Sequence, residues 1–243
     1  MPRLGRTRRV GTIWWAPNHT TWRIAFLFVV GSACFALGAL PPYADAVRAR
    51  ADGVTFFVGS LFFTAAALLQ LLVSVGAVPA TGHHPMAAVQ WRALRQAPHR
   101  AEWWAGIVQF AGTILFNIST FDALQQALDA TEANRRVWAP DMLGSIAFLV
   151  ASALAYAVVK RPWITWRPKD LDWSVATLNM VGSIAFMASA LAAYVIEDGS
   201  LRNAELANAG TWVGGVCFLL GAIFLIPEEL APAPEPEAAS APA

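Results

Sequence analysis

The sequence predicts an all-α polytopic membrane protein, with six transmembrane helices built as three repeated two-helix hairpins. Three observations carry this. First, the 243 residues are 57% hydrophobic and 14% charged, with a mean hydropathy of +0.49; soluble globular chains are about half apolar and roughly a quarter charged. Second, six stretches (22–40, 54–78, 103–121, 139–159, 173–196 and 207–226) reach the roughly 20 apolar residues needed to cross a bilayer, and none has Lys, Arg, His or Glu in its middle. Third, one short pattern recurs in all six. Length favours helix over strand for such runs, and in lipid the backbone must satisfy its own hydrogen bonds.

The same figures exclude other classes. A net charge of +1 with no basic cluster of domain size argues against a nucleic-acid partner. Two cysteines cannot make a disulfide framework. The lipid bilayer is the partner that composition demands.

The elements follow in order. Residues 1–21 read as a basic cytoplasmic N-terminus, 22–79 as the first hairpin and 80–102 as a cytoplasmic connection. Residues 103–159 form the second hairpin, 160–172 a second cytoplasmic connection, 173–227 the third hairpin, and 228–243 a disordered acidic tail rich in Pro and Ala. Twelve of the 17 Lys and Arg fall in the N-terminal region and these two connections. The other five, Arg48, Arg50, Arg135, Arg136 and Arg202, stand among acids on the opposite side. By the positive-inside rule both termini are cytoplasmic. Arg8-Arg9 ahead of an apolar run matches an export signal poorly, and the repeat makes the first span part of the fold.

The repeat is glycine, a small residue, two variable positions and phenylalanine, with a second small residue seven after the glycine. It reads Gly31, Phe35 and Gly38; Gly59, Phe63 and Ala66; Gly112, Phe116 and Ser119. The later spans read Gly144, Phe148 and Ala151; Gly182, Phe186 and Ser189; Gly214, Phe218 and Gly221. Glycines within a hairpin are 28, 32 and 32 residues apart, and each odd span has a tryptophan nine before its glycine: Trp22, Trp103 and Trp173. The unit is therefore the hairpin, and parallel repeats relate by an axis along the membrane normal. A pseudo-threefold bundle is the simplest arrangement.

Helix geometry puts Gly, Phe and the second small residue within about 40° on one face. That is a helix-packing motif, because small residues let membrane helices approach closely. A lined pore is the functional reading of the same layer; a duplicated packing core is preferred. The three tryptophans, about 180° away, are expected to face lipid as interfacial anchors.

No catalytic signature, cofactor loop or nucleophile elbow occurs, and the chain does not read as an enzyme. His83-His84 and His99 have no thiol or carboxylate at ligand spacing, so no metal is expected. Cys34 and Cys217 read as apolar packers. Residues 86–97 suit a short interfacial helix, and the cytoplasmic Trp/Arg collar suits anionic lipids or simple anchoring. Intramembrane polar residues are functional candidates by default. Gln70 is one, and the candidate polar site is Gln109, Asn117, Asp122, Asp141 and Asn179. Gln109 and Asn179 share repeat position −3, where the first hairpin has Phe28. Asp141 follows Pro140 and suits the first turn of a helix.

The hairpin with Trp, then Gly-Ser-x-x-Phe twice, resembles the YrhK-like domain, a two-helix bacterial membrane module. The segments Asn18–Ala25, Gly112–Thr120 and Val137–Phe148 look like its longer actinobacterial relatives. The resemblance spans most of residues 14–228 and implies a bacterial inner membrane location; no activity or site residue comes with it. Two functions are carried forward: a non-enzymatic scaffold or accessory subunit, with a membrane-protein partner or a second copy; and a small transporter or channel for a neutral or weakly charged solute.

Overall fold

In the computed structural model, residues 15–78, 101–125, 128–158 and 170–229 are described. The basic N-terminal residues 1–14, the histidines of the first connection, the segment 86–97, the second connection up to residue 169 and the tail from 230 lie outside them. Helix α1 spans Thr20–Gly38, α2 Pro41–Ser74 and α3 Ala101–Asp122. Helix α4 runs from Ala130 through a π-helical turn, Asn134–Trp138, into Ala139–Val158; α5 spans Leu171–Ala192 and α6 Ala204–Glu229. All six are long and apolar enough to cross a membrane. An isolated β-bridge pairs Val195 with Leu201 in the α5–α6 connection.

Each end has a local cause. Pro41 and Pro42 occupy the first turn of α2, where a missing N–H costs nothing. Seven residues later the helix breaks at Arg48, whose φ of 70° is strained for any residue with a Cβ. Asp129 caps α4 by accepting from the Glu132 N–H at 2.8 Å, and Asp170 caps α5 by accepting from the Trp173 N–H at 3.3 Å. Asn203 caps α6 through the Leu206 N–H at 2.9 Å.

The start of α4 departs from expectation. Pro140 was expected to open the fourth span, with Asp141 in its first turn. The α-helical stretch does open at Ala139 with Asp141 in its first turn, but it continues without a break from a helix that begins at Ala130, nearly three turns before Pro140. Proline removes a donor and crowds the preceding turn. The chain widens there into the π turn, with the Ala139 N–H bonded five residues back to the Asn134 carbonyl. Asp141 therefore lies inside a continuous helix, away from the favourable N-terminal dipole.

The helices contact one another in sequence order, α1 with α2 through to α5 with α6, and α6 packs on α1. Within each hairpin the contact is reciprocal. A Cβ on Gly31 would stand 2.7 Å from the Phe63 ring, and one on Gly59 would stand 3.2 Å from Phe35. Gly112 faces Phe148 and Gly144 faces Phe116; Gly182 faces Phe218 and Gly214 faces Phe186. Each phenylalanine thus fills the notch of its partner helix.

On α2, α4, α5 and α6 the small residue after the glycine serves the contacts between hairpins. Ser60 on α2 lies 3.0 Å from Thr120 on α3. Ser183 on α5 donates to the Phe148 carbonyl at 3.3 Å and pairs with Ser152 at 2.8 Å, both on α4. On α6 the position is Gly215, where a Cβ would lie 2.7 Å from the Ala36 nitrogen of α1.

The six motif phenylalanines are all buried and meet in the centre. Rings from the odd helices, Phe35, Phe116 and Phe186, form a triangle with centroids 5.9, 6.1 and 6.2 Å apart. Rings from the even helices, Phe63, Phe148 and Phe218, form another at 5.6, 5.9 and 6.1 Å. Hairpin pairs at 5.1, 5.5 and 5.5 Å join the triangles edge by edge. These spacings suit aromatic pairing, worth about 0.5–1.5 kcal/mol per pair beyond burial. The outer faces carry Ile118, Leu143 and Ile184, at 44–54% exposure. Large aliphatic side chains outside, with glycine, serine and packed rings inside, is the distribution that lipid favours.

At the end opposite the termini, Asn134 ties α4 to the α5–α6 connection. Its amide donates to the Val195 carbonyl at 2.7 Å and accepts from the Val195 N–H at 2.9 Å. The Trp138 indole donates to the Ala190 carbonyl at 2.9 Å and stacks edge-on with Tyr194. In the same connection, the hydroxyl and N–H of Ser200 hold the Asp198 carboxyl below the usual range. Asn134→Ala should cost about 1–3 kcal/mol, since two hydrogen bonds go and a peptide is left unpaired. Hydrogen exchange should then accelerate across residues 193–202 and not in α1 or α2; unchanged exchange there would show that the tether is dispensable.

Candidate functional site

The five candidate polar residues do not form one site; the structure distributes them over four places. Asn117, in α3, donates to the Thr64 hydroxyl of α2 at 2.9 Å, an interhelical bond between hairpins. Asp122, at the end of α3, forms a two-pronged ion pair with Arg136 of α4, both contacts at 3.2 Å. Gln125 also donates to Asp122 at 3.2 Å. The expected polar locus around Asn117, Asp122 and Asp141 is thereby divided, because Arg136 takes Asp122 and α2 takes Asn117.

Gln109 and Asn179 do come together, and Gln70 joins them. They line a chamber on the axis, on the side of the phenylalanines nearer the termini. One lobe of about 300 Å³ is walled by Thr21, Ile24, Gln70, Glu102 and Gln109, with Ala155 and Leu225. A smaller lobe of about 40 Å³ adds Phe28, Asn179 and Phe218. None of the three side-chain amides bonds to another described residue.

A regularity beneath this was not visible from the sequence alone. Each hairpin gives the chamber one residue three before its odd glycine and one eleven after its even glycine. The pairs are Phe28 with Gln70, Gln109 with Ala155, and Asn179 with Leu225. Every hairpin supplies one amide and one apolar group, but the first hairpin carries its amide on the other helix. Reading position −3 alone therefore found two of three.

Beyond the phenylalanines, at the opposite end, lies a cavity of about 440 Å³. Asp141 lines it, with Trp138 beside it on α4 and Ser119, Ser189, Asn208 and Thr211 from three other helices. Between the two cavities only about 10 Å³ remains free among Phe35, Phe63, Phe116, Phe148 and Phe186. That is less than, or at most equal to, what one water requires.

The tryptophan anchors need one correction. Trp22 does not face lipid: it is 7% exposed and packs on Ala25 and Ile226, stacked against Phe26. Its glycine faces α2, the neighbour on one side, so the opposite direction on α1 points toward α6, the neighbour on the other. Trp103 is half-buried, edge-on to the exposed Trp104 at 4.7 Å, and Trp173 is half-buried in the first turn of α5.

Among the described residues no group of three or more His, Cys, Asp or Glu is placed to hold a metal ion. No protein-family model, curated protein or solved structure matches the chain.

Proposed function

We propose that the chain is a non-enzymatic structural subunit of a membrane assembly, with both termini on the cytoplasmic side of a bacterial inner membrane. The observation that carries this is the double triangle of phenylalanines, which leaves at most the space of one water on the axis. The chain's close packing is built from glycine notches and serine bridges, a pattern suited to holding a fixed shape. The likeness of its hairpins to YrhK-like modules, resting on the Trp and Gly-Ser-x-x-Phe residues, agrees with a membrane role without an activity.

Native mass measurement after gentle extraction should find the chain in a complex larger than 26.1 kDa, with another membrane protein or further copies. A chain that is always monomeric and alone overturns the reading. The second reading, a conduit for a small neutral solute, draws on the amide-lined chamber. Flux of urea or glycerol into vesicles separates the two: the wild-type protein should add nothing to the lipid's own permeability. Saturable flux that Gln109→Leu abolishes would favour the conduit.

A further inference from the structure

We propose that the cavity at the end opposite the termini is a binding site for a monovalent organic cation, with Asp141 as its counter-ion. Among the described residues Asp141 is the only charged side chain lining that cavity, and no described Lys, Arg or His lines it. Its carboxylate has no hydrogen bond or ion pair with any described residue. The nearest arginine along its helix, Arg136, is committed to Asp122 through both prongs of its guanidinium. Asp141 also lies well inside α4, so no helix terminus offsets its charge. An ionisable group within a membrane span is costly and calls for a partner. Here the cavity, and not the protein, offers the place for one.

The walls select the class of cation. Ca²⁺ or Mg²⁺ takes about six or more oxygen ligands at short range, and among the described residues no group of three or more His, Cys, Asp or Glu is placed to hold a metal ion. An alkylammonium matches better. Val137, Leu201, Ala193 and Phe56 give it apolar surface, and the Trp138 indole, three residues from Asp141, lines the same cavity, where an aromatic ring can meet a cation. Ser119, Asn208 and Thr211 can take N–H or O–H groups of the ligand. The π turn ends at Trp138, so it resets the register of α4 at that residue and just before Asp141. An ammonium group reaches the site either as a free amine or as the headgroup of a lipid.

The test uses the full chain in a neutral maltoside detergent, with radiolabelled choline as probe in equilibrium dialysis. Choline should bind saturably, and 3,3-dimethylbutanol, its uncharged carbon analogue, should fail to compete at equal concentration. Asp141→Asn should weaken binding at least tenfold, while Asp141→Glu retains most of it. Displacement of choline by added phosphatidylethanolamine would identify a lipid headgroup as the source of the ammonium; its failure would point to a free amine. No saturable choline binding, equal competition by the neutral analogue, or unchanged binding in a folded Asp141→Asn protein would each overturn the proposal. The comparison of choline with its neutral analogue needs no variant, so it decides even if Asp141→Asn does not fold.

Discussion

Gly215→Leu is expected to open the ring of helices where α6 meets α1, lowering stability by about 3 kcal/mol or more. The reason is that the atoms in the way belong to the main chain. A Cβ at Gly215 would sit 2.7 Å from the Ala36 nitrogen and 3.0 Å from its Cα, both within a continuous helix. No rotamer change relieves such a clash, so the helices must separate, and overpacking of this kind sits at or above the usual 1–3 kcal/mol. Thermal unfolding in detergent measures it, with Gly53→Ala as the comparison. A Cβ at Gly53 meets only the Leu124 Cδ2, at 3.1 Å, the far end of a flexible side chain. The contrast sharpens with Gly215→Ser, which installs the residue that four of the other five spans use at this position. It too should destabilise, because α6 approaches α1 more closely than a Cβ permits. Equal melting of Gly215→Leu and Gly53→Ala would show that the α1–α6 contact is not a close one.

Phe148→Ala should cost about 3–5 kcal/mol, the range for truncating a buried aromatic. Phe148 is 2% exposed and touches Phe63, Phe116 and Phe218 while filling the notch at Gly112. Its loss removes three ring contacts and leaves a void between two existing cavities. Water can then bridge the chamber of amides and the cavity of Asp141, so vesicles bearing this variant should also swell faster under an osmotic gradient. Lost stability without faster swelling would mean that the remaining rings collapse over the gap. Neither effect would mean that the centre is not the seal.

Much of this core was legible in the sequence, because the motif that builds it is local and repeated six times. Glycine and phenylalanine four apart must share a face on any helix. What the single helix could not reveal was which neighbour each face meets. Gly31 faces Phe63 of the adjoining helix, so Trp22 on the opposite side of α1 meets α6 and not lipid. Helix boundaries failed where tertiary contacts outweigh local preference. Pro140 reads as a start, yet Asp129 caps the helix earlier and Asn134 anchors it to the peptide of Val195. The candidate site was half legible for a similar reason. Gln109 and Asn179 share a repeat position, but Gln70 joins them only through the antiparallel run of α2. Asp122 and Asp141, both near one end, are separated by the claim of Arg136 on the first.

The closed ring has a consequence for assembly. A hairpin newly inserted in lipid loses little by showing its two phenylalanines to acyl chains, since no water is there to expel them. What it lacks is a partner for its serines and a shape to fit its notches. The first two hairpins can join through one seam, α2 against α3. The third must close two seams at once, α4 against α5 and α6 against α1, and its entry completes both triangles of rings. The last hairpin is a keystone: until it seats, each triangle lacks a member and neither seam beside it exists. A chain ending after residue 158 would hold two thirds of the helices yet none of the enclosure.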